Sequence, residues 1–164
     1  MIVLIEGPDG AGKTTLAKQI VKLTGATYLH ADKPTRHPLV EYTAGIEPGT
    51  DYVLDRWHLG EEVYGPIHRG QSGLSPEQFI AVEQFLDELG AVVIYCSGSL
   101  ATLMTRVSKR GEKVNVTTFR KECAAFDRVA ERTWLPTLTS PIGMEIKAEE
   151  VVEYAKQRAM LVCG

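Results

Sequence analysis

Cysteine is scarce in this 164-residue chain, and the three present, Cys96, Cys123 and Cys163, are an odd number with no C-x-x-C spacing. That excludes a disulfide framework and a zinc site as organising principles, and reduced core thiols are expected instead. Long apolar runs are missing: none approaches a bilayer span, and the N-terminus has neither the basic segment nor the cleavage site of a signal peptide. The expectation is a cytoplasmic protein with no membrane partner. An excess of positive charge is missing as well, since 18 Lys and Arg face 21 Asp and Glu for a net charge of −3. Such a balance argues against stable, non-specific nucleic-acid binding. No internal repeat, low-complexity tract or linker appears. With 44% hydrophobic and 24% charged residues, residues 1–164 are expected to form one domain around one core.

What is present is concentrated first in Met1 to Lys18, MIVLIEGPDGAGKTTLAK, where a short apolar run stops at a glycine-rich turn and an amphipathic segment begins. Gly7, Gly12, Lys13 and Thr14 satisfy the G-x-x-x-x-G-K-[ST] pattern in the strand–loop–helix context that gives it meaning. Glycines let several backbone N–H groups converge on one anion, and the helix adds its positive end. The loop Gly7, Pro8, Asp9, Gly10, Ala11, Gly12, Lys13, Thr14 and Thr15 is therefore read as the ATP-phosphate site. Lys13 reaches the terminal phosphates and the Thr14 hydroxyl ligates Mg²⁺.

The rest of the chain alternates strand and helix. A helix over Leu16–Thr24 stops at Gly25, a strand covers Ala26–His30, a short helix Leu39–Ala44, and a strand Asp51–Asp55. His58–Gly73, with Gly60, Gly65, Gly70 and Gly73, reads as a short helix and a loop. Ser75-Pro76-Glu77 opens a helix that Gly90 ends, and Ala91–Cys96 reads as a central parallel strand buried on both faces. Helices follow over Leu100–Arg110 and Thr117–Trp134. Pro136 and Pro141 bracket a loop, Met144–Ile146 is a short last strand, and Glu149–Leu161 closes the chain as a helix. The fold class is α/β: a parallel sheet of about five strands wrapped by helices, P-loop kinase-like, with a short lid.

A phosphate loop alone does not separate kinases from switches and motors. The guanine-reading Asn-Lys-x-Asp is absent, whereas Asp9, Asp55-Arg56-Trp57 at a strand end, and the cations Arg106, Arg110, Arg120, Arg128 and Arg132 are present. Cations suit phosphoryl transfer, in which spread negative charge must be stabilised, though solvated helix faces also carry such arginines.

Taken together these residues resemble the thymidylate kinase family. Glu6-Gly7-Pro8-Asp9-Gly10-Ala11-Gly12-Lys13-Thr14-Thr15 looks like its P-loop, internal acid included. Asp55-Arg56-Trp57 is similar to its Asp-Arg-Tyr, Tyr64 with Arg69-Gly70 to its nucleobase-side aromatic and Arg-Gly turn, and Ile94–Gly111 to its strand, helix and arginine pair. The resemblance implies that Asp9 approaches the acceptor nucleotide, that Arg56 holds its phosphate, and that Trp57, Tyr64 and Arg69 line its pocket. It also implies that Asp55 assists Mg²⁺, through water, and that Arg106 and Arg110 belong to or flank the lid. The segment between Lys13 and Asp55 is short for that family, with Pro34-Thr35-Arg36 as a weak echo of its Arg-Glu-Pro-Gly-Gly, so Arg36 joins the acceptor residues. Gly65 stands where the family tends to have glutamine, which implies a rebuilt acceptor pocket.

The leading expectation is ATP- and Mg²⁺-dependent transfer to a deoxynucleoside monophosphate, thymidylate first. A nucleoside or a polynucleotide hydroxyl is the alternative acceptor, and a nucleotide-binding switch without transfer the alternative from another class. DNA as acceptor and a homodimeric assembly stay open.

Overall fold

The computed structural model describes residues 1–31 and 37–163, with the Cys163 side chain, residues 32–36 and Gly164 outside the described residues. The expected role of Arg36 falls there. The first strand, β1 (Ile2–Glu6), is buried at every position and lies at the centre of a five-stranded sheet. The remaining elements, in chain order, are α1 (Lys13–Thr24), β2 (Thr27–His30), α2 (Pro38–Thr43), β3 (Tyr52–Asp55), α3 (His58–Arg69) and α4 (Pro76–Glu88), then β4 (Ala91–Ser97), α5 (Leu100–Lys109), α6 (Val116–Arg132), β5 (Thr137–Pro141) and α7 (Ala148–Cys163). The strand order is β2-β3-β1-β4-β5 and all pairs are parallel.

Period-two alternation sorts the central strands onto two cores. Leu4, Leu54 and Val93 face one side with Val82 and Leu86 of α4 and Phe126 of α6. Val3, Ile5, Val53, Val92 and Ile94 face the other with Ile20 of α1, Leu103 of α5 and Val151 of α7. Because the central strands are covered on both faces, the groups left for a ligand are at their carboxyl ends, where β1 lies between β3 on one side and β4 on the other.

Local signals hold where expected. Ser75 Oγ accepts from Gln78 N at 3.2 Å while Gln78 Oε1 accepts from Ser75 N at 2.9 Å, a reciprocal cap for α4, and Gly25, φ 71°, closes α1. No helix among the described residues is long and apolar enough to cross a membrane. Cys96 is buried and Cys123 half-buried, both as free thiols.

Three expectations are corrected. His58–Gly73 is a helix and a loop, but the helix is not short: α3 runs unbroken through Gly60, Gly65 and Pro66 to Arg69, which leaves only 70–73 as loop. Gly65 is there for close packing, since a Cβ on it would stand 2.8 Å from the Gln71 carbonyl oxygen and the Ser72 Cα. Pro136 and Pro141 do not bracket a loop, because the residues between them form β5. As an edge strand, β5 pairs on one side only and tolerates proline: Val93 N donates to Pro136 O at 2.8 Å, and Ser97 is in register with Pro141. Met144–Ile146 is a turn and coil rather than a strand, since β5 already occupies the edge of β4 where it would have paired.

Candidate active site

The turn from β1 to α1 demands glycine at its tightest points. A Cβ on Gly7, φ 138°, would overlap the Cys96 carbonyl oxygen of β4, and one on Gly10, φ 83°, would stand 2.9 Å from the Leu103 carbonyl oxygen of α5. Gly12 occupies the N-terminal cap of α1 without any side-chain cap. Thr15 N donates to Gly12 O at 3.0 Å, but the first two N–H groups of that helix have no side-chain cap, which is the arrangement that receives a phosphate.

Lys13, 5% exposed, opens α1. Its Nζ donates to Gly7 O at 2.7 Å and Pro8 O at 2.9 Å and lies 3.7 Å from Asp9 Oδ1. Burial pulls its amine below the ordinary lysine range, against the opposing charge of Asp9. Next to it, Thr14 Oγ1 donates to Asp55 Oδ2 at 2.9 Å, and the Tyr28 hydroxyl donates to the same oxygen at 2.8 Å. Asp55 is fully buried, and its Oδ1 has no hydrogen-bond partner among the described residues. A hydroxyl beside a carboxylate with a spare oxygen, at the mouth of a phosphate loop, is the hard-oxygen set that suits Mg²⁺. Thr14 and Asp55, expected as metal residues from separate parts of the sequence, are thus neighbours.

On the β3 side, Arg56 Nη2 donates to Asp9 Oδ1 at 2.7 Å. Arg56 has φ 59°, the single non-glycine residue with positive φ among the described residues. That backbone costs on the order of 1 kcal/mol and persists where the surroundings hold it; here Arg56 N donates to Ile5 O at 3.1 Å. Burial works against the guanidinium charge, but Asp9, Tyr64, Asp55 and Glu6 outweigh it and raise the pKa.

Asp9, Arg56, Trp57, Tyr64 and Arg69, all expected to meet the acceptor, line one cleft of about 350 Å³ together with Ala31, Tyr42, Gly60, Glu61 and His68. Trp57 is a buried wall rather than a free aromatic: its Nε1 donates to Tyr42 O at 3.1 Å and its ring meets Tyr42 edge-on. Tyr64 packs edge-on against Phe126, and its hydroxyl is buried with no partner among the described residues. Arg69 is ion-paired with Glu61.

A second cleft of about 380 Å³, on the other side of the loop, is lined by Ala11, Gly12, Thr15, Cys96, Arg106 and Glu145, among others. Arg106 reaches the loop, with Nη1 3.5 Å from Gly10 O and Nη2 3.5 Å from Glu145. Arg110 does not share this position: it pairs with Glu112 at 3.2 Å, half-exposed, and is not among the residues lining either cleft.

Sequence reasoning passed over Glu6. It ends β1, is 1% exposed, and its Oε1 accepts from Trp57 N at 2.7 Å and Gly60 N at 3.3 Å, capping α3 from a distant strand. Oε2 is buried without a partner among the described residues, and burial, opposed chiefly by His58, raises the carboxyl above its usual range. A glutamate in an otherwise apolar strand was the available signal. Glu61 and His68 gave none, because they lie in the stretch misread as partly loop.

No family model matches the chain. A cytidylate kinase of Fervidobacterium nodosum is 30% identical over 108 residues, covering 53% of this chain and 48% of that protein, so the chain spans about half the length of this curated relative. Among solved structures, the YorR protein of Bacillus subtilis in complex with phosphorylated GDP superposes with a TM-score of 0.77 at 19% identity, over 99% of this chain and 95% of that one. A deoxyadenosine kinase from M. mycoides with bound dCTP gives 0.60 at 17% over 99% and 97%, and a gluconokinase from Sinorhizobium meliloti gives 0.59 at 13% over 98% and 91%. Five parallel strands in this order, wrapped by helices and joined by a glycine loop between β1 and α1, give the chain the P-loop kinase fold.

Proposed function

We propose that the chain is a kinase that moves the terminal phosphoryl group of ATP onto a deoxynucleoside monophosphate, with thymidylate the first acceptor to try. The observation that carries this reading is Arg56, a strand-end arginine in strained backbone, paired at 2.7 Å with the loop residue Asp9 and facing the 350 Å³ cleft. A guanidinium fork there can grip an acceptor phosphate bidentately beside the phosphate loop. Lys13 exchanges its two loop carbonyls for the terminal phosphates of ATP, while the open amides at the start of α1 hold the same group. Arg106, already against the loop, supplies positive charge as the phosphoryl group moves. Mg²⁺, held by Thr14 and Asp55, neutralises charge on the phosphates when bound.

A nucleoside acceptor is the second reading, favoured by one observation: Glu6 Oε2, without a partner among the described residues, lies directly behind Gly60 of the cleft wall, a place from which a carboxylate can serve a hydroxyl. The name of the structurally similar deoxyadenosine kinase is consistent with it. The test is incubation with ATP, Mg²⁺ and a panel of deoxynucleoside monophosphates, nucleosides and oligonucleotides, with product identified by mass. Monophosphates should exceed nucleosides by tenfold or more in kcat/KM, as expected for a bidentate phosphate contact. Transfer confined to nucleosides would overturn the first reading in favour of the second, and ATP binding without transfer to any acceptor would make the protein a switch.

A further inference from the structure

The two oxygens of Asp55 are treated unequally, and the difference comes from β2. In the parallel pair of β2 and β3, Tyr28 stands opposite Val53 and His30 opposite Asp55, and Val53 belongs to the core on the α1 side of the sheet. Alternation therefore puts Tyr28, His30 and Asp55 on the face that α1 covers, near its first turn, where Thr14 is. Thr14 Oγ1 donates to Asp55 Oδ2 at 2.9 Å, the Tyr28 hydroxyl donates to the same oxygen at 2.8 Å, and His30 Nδ1 lies 3.6 Å from it. Oδ1 of that carboxylate is buried without a partner among the described residues.

A hydroxyl has one proton, and Thr14 spends its proton on Asp55, which leaves its lone pairs for a cation. One donor lets a carboxylate swing about the shared bond. Two donors from different elements, α1 and β2, hold Oδ2 in place and with it the plane of the group. The Tyr28 bond is not needed to keep the strand in the sheet, because β2 is already held by its ladder with β3 and, at its two ends, by Thr27 N to Asp51 O at 2.9 Å and Ala31 N to Asp55 O at 3.3 Å. Nor is Tyr28 a core residue, being 39% exposed. What its hydroxyl adds is the second donor to Asp55. We propose that Tyr28 is a positioning residue for Mg²⁺, fixing Asp55 so that the Thr14 hydroxyl and the remaining carboxylate oxygen offer the metal one arrangement. The inference rests on the kinase reading, in which Thr14 and Asp55 hold the Mg²⁺ of ATP.

The experiment measures the Kd of a non-hydrolysable ATP analogue by calorimetry, once with Mg²⁺ and once with a chelator, on the wild type, Tyr28→Phe, Asp55→Asn and the double variant. The wild type should bind more tightly with Mg²⁺. Tyr28→Phe should weaken binding with Mg²⁺ by about tenfold, the lower end of what losing an outer hydrogen bond costs a metal site, while binding with the chelator stays within about twofold of the wild type. In the Asp55→Asn background the same change should cost less than about twofold, because Tyr28 acts through the carboxylate. If Asp55→Asn does not fold, the two conditions on Tyr28→Phe decide by themselves. Equal weakening with Mg²⁺ and with the chelator, or weakening in neither, would overturn the inference and leave Tyr28 as a tie between strands. A tenfold cost that persists in the Asp55→Asn background would overturn it as well. A wild type that binds the analogue no better with Mg²⁺ would instead overturn the reading of Thr14 and Asp55 as metal residues, on which the inference stands.

Discussion

The two sides of the site, proposed for the donor and for the acceptor, are built in different ways. Every loop residue expected to hold ATP lies within Gly7–Thr15, and the loop's geometry is fixed locally by glycines at φ 138°, 83° and 93°. The cleft proposed for the acceptor joins Asp9 of the loop to Tyr42 of α2, Arg56 and Trp57 after β3, and Tyr64, His68 and Arg69 of α3. Local geometry survives change elsewhere in the chain, whereas a cleft assembled from distant elements can be reshaped by altering any of them. A locally fixed phosphate loop beside a cleft that can be reshaped is the division of labour this construction permits.

The largest effect expected from breaking the donor side is at Lys13. Its ammonium serves the loop and the phosphates, so Lys13→Ala should lower kcat by roughly 10²–10³-fold while the melting temperature of the ligand-free protein stays close to that of the wild type. Full activity would remove the phosphate-loop assignment, and a collapse in melting temperature would show that the contacts of Nζ with Gly7 O and Pro8 O are structural.

On the acceptor side, Arg56→Lys keeps the charge but loses the fork. The acceptor KM should rise about tenfold and kcat fall, with the ATP KM little changed. Equal rises in both KM values would mean that Arg56 shapes the whole site, and the contrast between the two sides would dissolve there.

Arg106 and Arg110 sharpen the contrast further, because the sequence treats them as a pair and the structure separates them. Arg106→Ala, removing the guanidinium beside Gly10 O, should lower kcat by about tenfold. Arg110→Ala, removing an exposed partner of Glu112, should change kcat by less than about threefold. If the two variants lose equally, the segment between α5 and α6 brings Arg110 over ATP in the working complex.

The smallest expected effect is on stability, at Glu6, where the two sides meet. Burial raises its folded-state pKa above the ordinary 4.5, so the native state holds a proton that the unfolded chain releases between 4.5 and the raised value. Stability contributed by this group is therefore present below pH 4.5 and lost as pH rises through the folded pKa. Glu6→Gln should melt near the wild type in acid and progressively above it by a few degrees towards neutral pH. A variant that melts below the wild type at neutral pH would show that the charged carboxylate capping Trp57 N and Gly60 N outweighs the cost of its burial.

Contiguous patterns were the legible part. β1, the glycine loop, α1, the buried β4 and the reciprocal cap of α4 all come from residues within a few positions of one another. Elements whose identity depends on a neighbour were misread. β5 looks like a loop between two prolines until the edge of β4 supplies one-sided pairing, and α3 looks broken at Gly60 and Gly65 until Glu6 caps its start and the 71–72 backbone packs against Gly65. Resemblance brought Asp9, Arg56, Trp57, Tyr64 and Arg69 to one cleft, but it could not supply the partners that fix their roles.

The sequence by itself determined that a phosphate loop follows a buried strand, because φ-permissive glycines, a lysine and a threonine at fixed spacing specify that turn without help from the rest of the chain. Only the tertiary structure decided which groups stand around it. It paired Thr14 with Asp55 from 41 residues away, Asp9 with Arg56 from 47, and His68 with Glu122 from 54. Such contacts form where sheet order and helix packing bring side chains together, and no local spacing encodes them.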